Sequence, residues 1–227
     1  MLGLLCWRDE RGVRLERGRL LGLPLLQVSL PPGGRWERYR IDRAARILKR
    51  QGIRKVLVPK GFACWEVLAR RGLCGIDPLP LYRAMADRLV LAELARRGVE
   101  ERRACVALRG EYVDSALAGA ARLLCPRVRT ILIQVRQGGD KLTRELYREF
   151  GVGTVSRAQP DAVVRFGGIG EEGELVLCGR PELLGLELDA PERVLPEETE
   201  PLPLLTALWQ SGGLNLDEIR VFDNKCS

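Results

Sequence analysis

The chain has 227 residues, 46% of them apolar and 30% charged, enough to bury a sizeable core as one large domain or two small ones and far from the composition of a disordered chain. It contains no histidine, which excludes a Ser-His-Asp triad, a Cys-His dyad and any histidine-ligated metal centre. The net charge of +7 is unevenly spread: residues 1–103 carry 23 Lys and Arg against 11 Asp and Glu, whereas residues 104–227 carry 14 against 19. Such asymmetry suits an anionic partner or mutual attraction of the two halves, although only five of the 37 basic residues are lysine, an arginine bias that genome composition also produces.

Short apolar runs alternate with turn signals at the N-terminus: Leu2–Trp7, then Val13 to Glu16, then Leu20–Leu30 closed by Pro31-Pro-Gly-Gly34. This reads as a small β-meander, with Pro24 favouring an edge position or a break because proline cannot donate to a ladder. The opening run is too short for a signal-peptide core, and no stretch reaches the roughly 20 apolar residues that span a bilayer, so a cytoplasmic protein without a membrane partner is expected.

From Ile41 the period becomes helical, with Ile41, Ala44, Ala45 and Leu48 on one face and Arg43, Arg46, Lys49 and Arg50 away from it, ending at Gly52. A strand at 53–58, a helix at 65–71 and a longer helix at 81–97 follow, each helix stopped by glycine. Residues 1–100 thus read as a small α/β domain with an exit helix, and 101–227 as a second α/β domain.

In the second half, Ala104 to Leu108 is continuously apolar, as a strand covered on both faces should be. A helical pattern runs from Val113 to Leu124, a strand from Thr130 to Ile133, a helix from Lys141 to Phe150, and strands at 151–155 and 161–166. Strands alternating with helices of this length indicate parallel crossovers and a doubly wound sheet. Glu174 to Cys178 reads as one more strand, and 190–203, rich in proline and glutamate, as a linker or surface loop before a short helix at 204–210, with 214–222 docking back on the body. The seven cysteines are odd in number, scattered and never in a C-x-x-C pair, so free thiols are expected, mostly buried, with Cys226 in an exposed tail, and neither a disulfide framework nor a metal site.

The order strand 104–108, helix, strand 130–133 resembles the first half of the nicotinamide-dinucleotide-binding Rossmann fold, over residues 104–168. A small domain leading into it resembles the shikimate dehydrogenase-like enzymes. The resemblance implies a G-x-G-x-x-G fingerprint after the first strand, where this chain has Gly110-Glu-Tyr-Val-Asp-Ser115. Only Gly110 is kept; Tyr112 and Ser115 replace the other glycines, and Glu111 and Asp114 bring negative charge to a helix N-terminus that would otherwise welcome phosphate. At the end of the second strand the resemblance implies a ribose-binding acid. Here Arg136 stands nearby, and would select a 2′-phosphate and hence NADP. Gly138-Gly139-Asp140 reads equally as a turn and helix cap, and Gly167-Gly168 sits at the edge where α/β sheets bind ligands or turns into a hairpin. The resemblance also implies Lys60 with Asp77 as a proton-transfer pair, although the family pattern around the lysine is missing.

A basic segment with Arg38, Arg43, Arg46, Lys49 and Arg50, interleaved with Trp36 and Tyr39, has the composition of a phosphate- and base-binding face, without a named nucleic-acid motif. Three functions remain open: a Rossmann-like protein that binds a small ligand or protein partner, with or without catalysis, a degenerate NADP-dependent oxidoreductase, or a nucleic-acid or anionic-partner module.

Overall fold

A computed structural model describes residues 1–9, 12–151 and 159–224. By the density of its internal contacts the chain forms two compact units, one of residues 1–78 and 190–218 and the other of 79–189 and 219–227. Residues 79–100 therefore fall with the second unit, and 190–218 return to the first. Residues 152–155 of the strand expected at 151–155, and the tail cysteine Cys226, lie outside the described residues.

In the first unit, β1 (Leu2–Trp7), β2 (Arg14–Leu20), β3 (Leu23–Leu30) and β4 (Val56–Leu57) form one sheet in the order β2-β3-β1-β4. This is not a meander: β1 pairs with β3 in parallel, and only β2 and β3 form an antiparallel hairpin. Side-chain chemistry sets the order. β2 is solvent-exposed along nearly its whole length and suits an edge, whereas β3 is mostly buried apolar residues and takes the interior. The hairpin turns on Leu21 and Gly22, both at positive φ (50° and 87°), the geometry of a two-residue turn matched to strand twist. Pro24 is accommodated because β1 begins its pairing one residue later, at Leu25.

Helix α1 (Glu37–Arg50) lays Ile41, Ala44, Ala45 and Leu48 into a core with Leu5, Leu26, Val28 and Ile53. Burial of each large aliphatic side chain contributes about 1.5–3 kcal/mol. The fit leaves no space at Gly3, where a Cβ would stand 3.0–3.2 Å from Val56, Ile53 and Leu48. Helix α2 (Trp65–Arg70) packs on α1. The segment 190–200 is held in this unit: Pro59 and Thr199 form a backbone bridge, and Lys60 N donates to the Glu198 carbonyl at 2.9 Å.

The second unit opens with α3 (Leu79–Ala84) and α4 (Ala86–Arg96), separated at the buried Met85, where the sequence reads one helix. Its sheet is parallel throughout: β5 (Cys105–Tyr112), β6 (Thr130–Gln137), β7 (Ala162–Arg165) and β8 (Leu175–Val176) lie in the order β6-β5-β7-β8. Helices α5 (Ser115–Leu124) and α6 (Gly139–Phe150) follow β5 and β6. β7 and β8 run parallel, so Gly167-Gly168 is not a hairpin turn. A two-stranded antiparallel ribbon, β9 (Leu186–Asp189) with β10 (Arg220–Asp223), completes this unit, while α7 (Pro201–Gln210) belongs to the first. α7 starts three residues before the expected Leu204 because Pro201 and Pro203 fall in its first turn, where a missing amide costs nothing. No helix among the described residues is long and apolar enough to cross a membrane.

Candidate functional site

The carboxyl edge of the parallel sheet holds the candidate site. Among the described strands, β6 and β7 are added to opposite sides of β5, so the order of strand addition reverses between β5 and β7 while all strands stay parallel, and such a switch point opens a crevice beyond the strand ends. A cavity of about 340 Å³ lies there, lined by Gly110, Glu111, Arg136, Arg165, Gly167, Gly168 and Ile169. A second depression of about 330 Å³ shares Gly110 and Arg165 with it and adds Arg109, Gln134 and Glu171.

Register explains the charges beneath. Arg109 on β5 stands directly beside Arg165 on β7 and Gln134 on β6, so the pleat places all three on one face. Two adjacent guanidinium groups repel unless a carboxylate intervenes, and Glu174, whose side chain is 4% exposed, does so. Its carboxylate accepts from Arg165 Nε at 2.5 Å, Arg165 Nη2 at 3.0 Å, Arg109 Nη1 and the Glu171 amide at 3.1 Å. Glu171 accepts from both arginines at 3.1 Å, and Arg109 Nε donates to Gln134 Oε1 at 2.8 Å. Burial alone would raise the Glu174 pKa, but the hydrogen bonds from Arg165, the Glu171 amide and Arg109 hold it below the ordinary carboxylate range. Arg165 is correspondingly held above its usual value, chiefly by its hydrogen bond to Glu174.

Two arginines and two glutamates thus neutralise one another as the floor. Arg136 is exposed at the rim and has no ion pair among the described residues, leaving it as the uncompensated cation facing the cavity, with Glu111 as the acidic group of the lining. Cys178 borders the glycine loop, its thiol donating to the Gly168 carbonyl at 3.5 Å; burial pushes the thiol pKa up despite the nearby Arg165 and Arg83. It is therefore a poor nucleophile at neutral pH.

Of the residues expected to hold a cofactor, Gly110, Arg136, Gly167 and Gly168 come together in this cavity. Tyr112 and Ser115 do not line it. The reason is that β5 does not turn at Gly110: the strand continues to Tyr112, pairing Gly110 with Val135 and Tyr112 with Gln137, and Gly110 lacks the positive φ of a turn glycine. The turn falls at Val113-Asp114, and Asp114 caps α5 by accepting from the Leu117 amide at 2.9 Å while pairing with Arg83. A protein carboxylate therefore occupies the position that a pyrophosphate takes at a dinucleotide-binding helix. Ser115 instead lines a more apolar groove of about 490 Å³ with Leu79, Arg83, Asp114, Gly119 and Leu123. Gly138, at φ 82°, caps α6.

Lys60 and Asp77 are both solvent-exposed. On α1, Arg38, Arg43, Arg46, Lys49 and Arg50 are all exposed. All six cysteines among the described residues are free; only Cys105 and Cys125 are buried, and Cys74 is exposed, against the expectation of mostly buried thiols. No cluster of metal-ligating side chains occurs among the described residues.

Sequence reasoning missed Arg109, Arg165, Glu171 and Glu174. The available signal was an arginine ending the apolar runs 104–108 and 162–164, together with the acidic Glu171-Glu-Gly-Glu174 after the glycine loop, since charges facing a sheet edge need partners. No family model matches the sequence, and no curated protein matches it.

Proposed function

We propose that the second unit binds a small anionic molecule at the carboxyl edge of its parallel sheet. The observation that carries this is the meeting, at the strand-order switch between β5 and β7, of an unpaired Arg136 with glycine backbone at 110, 167 and 168 around one cavity. A phosphate or carboxylate would pair with Arg136, a hydroxyl or amine would donate to Glu111, and the glycines let a ligand approach the backbone. The volume of about 340 Å³ is at the lower end of small-molecule sites and fits a mononucleotide-sized ligand better than a dinucleotide. The cap at Asp114 argues in the same direction.

The test is a thermal-shift screen of the full chain against nucleoside monophosphates, phosphosugars, dicarboxylates, ATP, NAD and NADP. A ligand at about 100 times its dissociation constant stabilises the unit by about 2.7 kcal/mol, or roughly 5–11 °C. Arg136→Ala should abolish the shift, and Arg148→Ala, an exposed arginine on α6, should leave it intact. A panel with no stabilising anion, or a shift indifferent to Arg136→Ala, would overturn the proposal.

A further inference from the structure

We infer that the exposed face of α1 is a binding surface for single-stranded nucleic acid, independent of the crevice in the second unit. The apolar stripe of the helix is consumed in the core of the first unit, through Ile41, Ala44, Ala45 and Leu48. What remains outside is a shallow depression of about 260 Å³ lined by Tyr39, Arg43, Arg46, Ile47 and Arg50. At 1.5 Å rise per residue these positions form a row roughly 16 Å long, with the cationic side chains about 4.5–6 Å apart along the axis.

Acidic neighbours neutralise only part of the row. Asp42 is engaged from the side by Arg71, whose Nε and Nη2 donate to it at 2.6 and 2.9 Å, and Arg46 shares it at 3.0 Å. The Arg71 hydrogen bond holds the Asp42 carboxyl below its usual range. Arg38 pairs with Glu66 at 2.5 Å. Arg43, Lys49 and Arg50 are exposed and hold no ion pair among the described residues.

Aromatic rings mark one end. Trp36 and Tyr39 are 60% and 58% exposed, meet edge to face with centroids 6.4 Å apart, and Arg35 lies over the Trp36 ring at 5.4 Å. A face that only needs solvation gains nothing by exposing two aromatic side chains. Beside a row of cations they form the pairing of phosphate contacts with base-stacking platforms that single strands use. A duplex offers no free base faces to those rings. With the apolar face of α1 already buried, an anionic bilayer could hold the row only at its surface, by charge, without insertion of the helix.

The experiment is fluorescence anisotropy of the full chain with labelled oligo(dT) and oligo(rU) of about 12 nucleotides. Its comparison arms are a duplex of the same length, polyglutamate and vesicles containing anionic lipid. With Arg43, Arg46, Lys49 and Arg50 neutralising about four phosphates, affinity should fall about 50-fold between roughly 50 and 200 mM salt. The double variant Arg43→Ala/Arg50→Ala should reduce that fall to about sevenfold. Trp36→Ala with Tyr39→Ala should weaken binding at least about fivefold without changing the salt slope, and Arg136→Ala should leave it unchanged. All four substituted positions are exposed, and an unchanged melting curve verifies folding. Failure to bind either oligonucleotide at low salt would overturn the inference. So would equal binding of duplex, polyglutamate or vesicles, or binding insensitive to loss of the two aromatic residues.

Discussion

Replacing Glu174 by Gln removes one charge from the floor of the crevice and leaves Arg109 and Arg165 side by side. The side chains of the three residues are 4%, 26% and 14% exposed, so water screens the two cations poorly. Deleting one partner of a buried ion pair costs about 3–5 kcal/mol, and the partial exposure of Arg109 places this case near 3. For a protein of this size that lowers the melting temperature by about 6–12 °C. The pH dependence has a definite sign. The Glu174 pKa is lower in the folded state, so its contribution is present above the unfolded value of about 4.3 and is lost as the pH falls through the folded pKa. The gap between wild type and Glu174→Gln should therefore be widest at neutral pH and narrow on acidification below about pH 4. Thermal melts followed by circular dichroism across this range measure it. A variant melting within about 2 °C of wild type at neutral pH, or a gap constant down to about pH 2, would refute the reasoning.

Asp114→Ala removes both the cap of α5 and the partner of Arg83, and should destabilise the second unit by about 2 kcal/mol; Asp114→Asn, which keeps the cap, should recover about half by urea denaturation. Gly170→Ala would place a Cβ 2.5 Å from Val176 Cγ2, a stiff side chain in β8, so it should cost about 1–3 kcal/mol and weaken any ligand bound by the 167–174 loop, read from melting and binding together. Thiol alkylation mapped by peptide mass spectrometry at mildly alkaline pH should label the exposed Cys74 well before Cys6 and Cys125, whose pKa values burial pushes to about 11.

Local periodicity carried much of the fold. The stripe Ile41, Ala44, Ala45, Leu48 is fully buried, and the run from Ala104 to Leu108 is an interior strand, because burial of one face or of both leaves a direct imprint on spacing. Long-range pairing left no such imprint. That β3 would slip between β1 and β2 depends on which strand tolerates exposure, and a reading in chain order supplies a meander by default. Glu93 shows the same limit: a carboxylate in a helix reads as surface, yet it is 1% exposed because Arg96 and Arg97 reach back to it at 2.8 and 2.5 Å. In the candidate site Gly110, Gly167, Gly168 and Arg136 were singled out in the sequence through the Rossmann resemblance and the place of glycines at an α/β sheet edge, and they line one cavity. The Arg109–Glu174–Arg165 network was not, because its members are up to 65 positions apart and meet only through strand register.

The most direct test of the crevice as a binding site is a titration of the ¹⁵N-labelled full chain with the best anion from the thermal screen, followed amide by amide. Saturable shifts are expected at Gly110, Glu111, Gly167, Gly168 and Ile169, lost in Arg136→Ala, with the α1 amides unmoved. Shifts confined to the groove around Ser115 and Leu123, or no saturable shift at the sheet edge, would contradict it.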